Sequence, residues 1–233
     1  MVPDDSTQYA QAAWLEIKET FWHAGSGKGS FPQGPGVAYV AHQGPSFAVD
    51  PGTGNVTRAV IPLDSGLGTW DDVQHLPTDP AKLAGKVVAA DSSSAASGRF
   101  YGALDLLRYA PVAAPLRRAL IQVMVATPGV TLDPTVTDSR GGSSLRLDLT
   151  NGDTVVQVFI SRADLQIRET TTVAGQDYLG LKSDPYETPV PGTPRRLMTA
   201  LPEGTLIERT TYLGRSFTAP PTDLLARSNA LGD

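Results

Sequence analysis

The sequence predicts an α+β fold: a curved antiparallel β-sheet, a half-barrel, with about three helices packed on one face. Three observations predict it. Short apolar runs separated by turn residues fill the chain up to about residue 70, helical periodicities bounded by prolines and caps follow, and strict alternation returns after Val130. Strands, then helices, then strands is the order that gathers helices against one antiparallel sheet. The expected organisation is a polar lead-in over 1–8, a single domain over 9–219 and a C-terminal tail over 220–233.

In AAWLEIKETFW, from Ala12 to Trp22, Leu15, Ile17 and Phe21 share one side and Trp14, Lys18 and Trp22 the other, which reads as a strand, although Ala, Glu and Lys also permit a helix. His23 to Gly36 is glycine-rich and reads as a loop. Val37 to Gln43, Ser46 to Val49 and Val56 to Pro62 are strand candidates, with a dense turn from Asp50 to Asn55. Leu76-Pro77-Thr78-Asp79-Pro80 starts a helix, with Thr78 or Asp79 as its cap and Leu83 and Val87 facing inward. Ala89 to Gly98 reads as a small-residue linker. A second helix is expected from about Arg99 to Tyr109, carrying Phe100, Ala103, Leu104 and Leu107 on one face.

The clearest stretch runs from Pro115 to Val173. Leu116, Leu120, Val123 and Met124 make one apolar stripe on a third helix, which Pro115 starts and Thr127-Pro128-Gly129 stop. A strand from Val130 to Thr137 and a polar turn at Ser139 to Gly142 lead into Leu145, Leu147 and Leu149, alternating with Arg146 and Asp148. Asn151-Gly152 is a two-residue hairpin turn signal, which would set Leu147 opposite Val156 and Leu145 opposite Val158. A turn near Arg162 to Asp164 opens a last meander strand with Leu165, Ile167, Glu169 and Val173 on one side. The four prolines between Asp184 and Pro194 describe an extended crossing, Leu206 to Leu213 a final strand, and Pro220-Pro221 the end of the fold.

Composition excludes several classes of function. The chain has 233 residues, 18% charged and 40% hydrophobic, with 23 Gly and 19 Pro, which suits a loop-rich, strand-rich globular protein. A formal net charge of −5 and a pI near 5.2 argue against nucleic-acid binding. With no cysteine there are no disulfides, thiolate metal sites or cysteine nucleophiles. No apolar run spans a bilayer, and the polar start after Met1 is unlike a signal peptide, so the chain reads as cytosolic or as an excised soluble domain.

Motifs with chemical promise have plainer readings. Gly25 to Ser30 resembles a phosphate loop but carries Trp22 where the first glycine belongs and Gly29 where Ser or Thr belongs. His23, His42 and His75 lie far apart, without metal-site spacing. Asp71, Asp72, Asp79 and Asp105 suit caps and exposed helix positions; Arg117-Arg118 and Arg195-Arg196 suit solvated faces or helix ends. Asp50 to Asn55 is half a calcium loop without its glutamate, and Asn55-Val56-Thr57 fits a glycosylation sequon. Trp14, Trp22, Trp70, Phe100, Tyr101 and Tyr109 are core material or the lining of an apolar pocket between sheet and helices. The ligand-pocket candidates are Trp14, Trp22, Phe100, Tyr101, Leu104 and Tyr109. No catalytic residue, metal or cofactor is expected.

The segments ETFWHAGSGKGSF, LPTDPAKL, PLRRALIQVMVATPGV and LIERTTYLGRSF, spread from Trp14 to Phe217, resemble the extracytoplasmic domains of actinobacterial, anti-sigma-factor-like single-pass membrane proteins. The resemblance implies a lipoprotein-carrier-like fold and an extracytoplasmic, cell-surface location. Contact with the membrane is implied only through a segment absent from this chain. Three functions are then in play. The first is a non-catalytic sensor domain that binds a ligand or protein partner for a membrane-anchored regulator. The second is a carrier of a lipid or other apolar small molecule, and the third a hydrolase pairing His23 or His42 with an aspartate such as Asp50 or Asp64.

Overall fold

The structure, a computed structural model, describes residues 13–23, 36–41, 46–50, 54–59, 70–89, 94–176, 178–181 and 198–230. Strands β1 (Trp14–His23), β2 (Gly36–Ala41), β3 (Ser46–Val49) and β4 (Val56–Ala59) come first. Four helices follow: α1 (Trp70–Gln74), α2 (Pro80–Leu83), α3 (Ala95–Tyr109) and α4 (Ala114–Val125). The meander β5 (Val130–Thr137), β6 (Ser143–Asn151), β7 (Thr154–Ser161) and β8 (Ile167–Ala174) comes next, then β9 (Leu179–Leu181), β10 (Met198–Ala200), β11 (Leu206–Ser216) and helix α5 (Thr222–Asn229). Nine strands form one open, curved antiparallel sheet in the order β4-β3-β2-β1-β11-β8-β7-β6-β5, and β9 pairs with β10 separately. The α+β class read from the sequence is therefore the fold observed.

One face of the sheet carries Leu15, Ile17, Val40, Leu147, Leu149, Val158, Ile160 and Ile167, all buried beneath Val73 of α1, Leu83 of α2 and the apolar stripes of α3 and α4. Burying this continuous layer is the main force joining helices to sheet. The opposite face bears a smaller cluster of Tyr39, Phe47 and Val56, against which Trp14 and the Leu224 and Leu225 side chains of α5 pack. Arg227 of α5 also donates to the Gly54 carbonyl. The tail expected beyond Pro220 thus contains a helix seated on the sheet, and Pro220 is itself buried.

Several local expectations need correction. Helix α3 begins at Ala95 rather than near Arg99, because Ser94 and Ser97 form a reciprocal capping box: Ser97 N donates to Ser94 Oγ at 3.1 Å and Ser94 N to Ser97 Oγ at 3.2 Å. The small residues read as linker let the helix approach residues 87–89, where Ala89 N bonds to Gly98 O at 3.0 Å. Asp79 caps α2 as expected, accepting from Lys82 N at 2.9 Å, whereas α1 is an additional short helix. In the β6–β7 hairpin Leu147 faces Val158 and Leu149 faces Val156, since Gly152 and Asp153 occupy the turn and Asn151 pairs with Thr154. The register is offset by two residues from the expected one, so every side chain keeps its face. The Gly25 to Ser30 segment, His42, Asp64, Asp184 to Pro194 and Arg195-Arg196 lie outside the described residues.

Candidate functional site

One end of the sheet gathers the β5–β6 turn, the β7–β8 turn, the last residues of β11 and the start of β1, where Glu16 pairs with Ser216. Two irregularities shape this end. In β8 the pairing passes from Phe159–Glu169 to Ile160–Ile167, leaving Arg168 as the extra residue of a bulge. In β1 a shift between Lys18 and Glu19 skips Leu213 of β11. Ile167 therefore joins the helix-side core, while Glu169, expected beside it, pairs with Phe159 and Thr211 and is held by Arg209 Nε at 3.1 Å and Ser139 N at 3.2 Å.

The β7–β8 turn is tightly specified. Leu165 N bonds to Ser161 O at 2.9 Å, Leu165 adopts a positive φ of 57°, and Gln166 N donates to Asp164 Oδ1 at 3.1 Å. Arg117 of α4 pins it from below. Only 1% exposed, Arg117 donates to the carbonyls of Asp164 at 2.9 Å and Val112 at 3.0 Å, which overturns its reading as a solvated charge. A buried guanidinium needs such acceptors on several sides. Arg215 of β11 similarly donates to Leu107 O at 2.9 Å, Ala110 O at 2.7 Å and Gln166 Oε1 at 3.1 Å, so it caps the C-terminus of α3.

Between these anchors lies a half-open concavity of about 480 Å³ on the helix-covered side. It is lined by the apolar Leu15, Ile167, Tyr212 and Phe217 together with Asp164, Gln166, Arg168, Gly214, Arg215 and Ser216. A concave volume of several hundred Å³ lined by both apolar and placed polar groups is of the size a small-molecule site takes.

Behind Tyr212 sits a half-buried charged cluster. The Arg108 guanidinium lies 4.7 Å from the Tyr109 ring centroid and 5.5 Å from that of Tyr212, with Asp105 Oδ1 3.9 Å away. Burial pushes the Asp105 carboxyl up to about 6 against the opposing pull of Arg108, and raises Glu19 in the same way. Burial also pushes the Tyr109 phenol up to about 12, again against Arg108. Glu19 Oε2 and Arg108 Nε are buried without a hydrogen-bond partner among the described residues. Two carboxyls against one guanidinium make a protonatable cluster.

The six pocket candidates do not converge on one cavity. Phe100 and Leu104 are buried in the helix–sheet core, and Tyr101 stacks edge-on against Phe100 at 5.7 Å. Tyr109 stands beside Arg108, Trp14 meets Phe47 at 5.7 Å in the α5-side cluster, and Trp22 is half-buried opposite Arg209, far along β1 from the concavity. Among the histidines, His75 is exposed after α1 and the backbone of His23 pairs with Glu208 at the other end of the sheet. Asp50 belongs to a turn, with Gly54 N donating to its carbonyl at 2.8 Å. Among the described residues no three His, Asp or Glu side chains group as metal ligands, and no described helix is long and apolar enough to cross a membrane.

Sequence reasoning missed Phe217, Arg168 and Arg215, all of which line the concavity. For Arg168 and Arg215 the one signal was arginine placed within alternating strand sequence, where a charge points either to water or into a site. No protein-family model matches the chain, and no curated protein matches it.

Proposed function

We propose that this chain is a non-catalytic binding domain that takes a small amphiphilic anion in the concavity at the end of its sheet. We further propose that it acts as the extracytoplasmic sensor of a membrane-anchored regulator, as the family resemblance implies. The observation that carries the binding reading is one lining that joins apolar side chains, Leu15, Ile167, Tyr212 and Phe217, to Arg168, Arg215 and a single carboxylate, Asp164, already bonded to Arg168. A ligand with a short hydrocarbon body and one anionic group matches both parts. The carrier alternative has less support, because Phe100, Leu104, Leu120 and Met124 fill the layer between helices and sheet where a large lipid would lie. The hydrolase alternative has less still, since among the described residues no histidine lines the concavity.

Native mass spectrometry of the purified protein beside a denatured control reads co-purified ligand directly, and calorimetric titration with a medium-chain fatty acid reads affinity. The expected result is binding that Phe217→Ala weakens by about tenfold, as loss of a largely buried aromatic contact should. Binding unaffected by Phe217→Ala, or no binding of any anionic amphiphile, overturns the proposal.

A further inference from the structure

Beside the concavity, and sharing Arg168 with it, lies a second open depression of about 650 Å³. Three arginines line it: Arg140 from the β5–β6 turn, Arg162 from the β7–β8 turn and Arg168 from the β8 bulge. Each is held by a contact at one terminal nitrogen. Arg140 Nη1 donates to Tyr212 O at 3.3 Å, Arg162 Nη1 to Thr135 Oγ1 at 3.3 Å, and Arg168 Nη2 meets Asp164 Oδ2 at 2.6 Å. A guanidinium has five N–H donors, so these contacts orient each group and leave donors for a ligand.

The carboxylate in the lining, Asp138, is already engaged. Its oxygens accept from Gly142 N at 2.8 Å, Arg140 N at 3.0 Å and Ser144 Oγ at 3.1 Å. Burial alone would raise its pKa, but these donors and the nearby Arg168 guanidinium hold it below the ordinary value. Its charge thus serves the turn and faces Arg168, while Ser143 and Ser161 add hydroxyls to the lining. In a chain of net charge −5, three arginines from three local structures converge on one place.

We propose that this depression binds a phosphate-type oxyanion, with Arg140, Arg162 and Arg168 each taking an oxygen. A carboxylate is satisfied by one bidentate arginine; three arginines in one lining suit a group with three or more charged oxygens. Because Arg168 belongs to both hollows, a phosphate-headed amphiphile would set its head among the arginines and its chain on Leu15 and Phe217. That extension rests on the binding reading above, whereas the anion site stands without it.

The test is calorimetric titration of the whole chain, at low ionic strength, with inorganic phosphate, acetate and dodecyl phosphate below its micelle concentration. Phosphate is expected to bind, acetate to bind about tenfold more weakly, and Arg140→Gln and Arg162→Gln each to weaken phosphate by about tenfold with unchanged thermal unfolding. Added salt should weaken binding further. Dodecyl phosphate binding tighter than phosphate, with Phe217→Ala removing only the excess, supports a lipid-like headgroup as the source. Equal affinity for the two supports a free oxyanion and sinks the reading of the apolar concavity alone. No phosphate binding at millimolar concentration, or binding indifferent to Arg140→Gln and Arg162→Gln, overturns the proposal.

Discussion

Arg117 Nη1 donates to the carbonyl oxygen of Asp164 at 2.9 Å, joining helix α4 to the β7–β8 turn across 47 positions of sequence. That turn supplies residues to both hollows, so a buried cation in the core sets the shape of a surface site. Arg117→Met keeps the volume and strands the carbonyls of Asp164 and Val112. The expected cost is about 3 kcal/mol, read as a lower urea midpoint at unchanged slope. A shift near zero would mean that these carbonyls find other donors.

The half-buried cluster around Arg108 predicts an unusual pH dependence. Asp105 has its folded pKa raised from 3.8 to about 6, so between those values the native state holds a proton that the unfolded chain has released. Stability from this group is therefore greatest below its unfolded pKa and falls as pH rises through about 6, with Glu19 acting in the same direction. Denaturant titrations at about pH 5 and about pH 7.5 should differ by on the order of 1 kcal/mol in favour of the acid side, and Asp105→Asn should flatten that difference. A wild-type slope that Asp105→Asn leaves intact would move the effect elsewhere.

Gly102 lies inside α3, where alanine ordinarily stabilises a helix by up to about 1 kcal/mol. Here a Cβ would stand 2.7 Å from the carbonyl carbon of Val87 and nearer still to its oxygen. Gly102→Ala should therefore destabilise the protein, by about 2 kcal/mol or more, because backbone rather than a flexible side chain must move. A rise in the melting temperature would show that residues 87–89 yield easily.

Helix α5 covers Tyr39, Phe47 and Val56 through Leu224 and Leu225. Leu225→Asp should undock it, at a cost of about 1–2 kcal/mol, and increase binding of a hydrophobic dye. Unchanged melting and dye binding would show that the helix contributes nothing to this face.

Much of the architecture was legible because local rules and burial agree. The Leu116, Leu120, Val123 and Met124 stripe, the Asp79-Pro80 helix start and the Leu145, Leu147, Leu149 alternation are each satisfied by a single face turned toward one core. Even the β6–β7 hairpin, offset by two residues, kept its faces, since a period of two survives such a shift. The candidate site was far less legible. Its aromatic members were chosen by residue type, and the fold sent Phe100 to the core, Trp14 to the α5 side and Trp22 away along β1.

By itself the sequence determined the α+β class, most of the elements and the identity of the helix-side core, because these depend on periodicity and on turn residues within a few positions of one another. Tertiary structure alone decided which arginines are buried and which meet. Arg117 pairs with carbonyls that helix periodicity does not mention. The bulge at Arg168 depends on how β8 is pulled between β7 and β11. Arg140, Arg162 and Arg168 come together only when three separate turns and strands close at one end of a curved sheet. Such contacts are long-range, and their energies are set by burial and charge in the assembled fold rather than by neighbours along the chain.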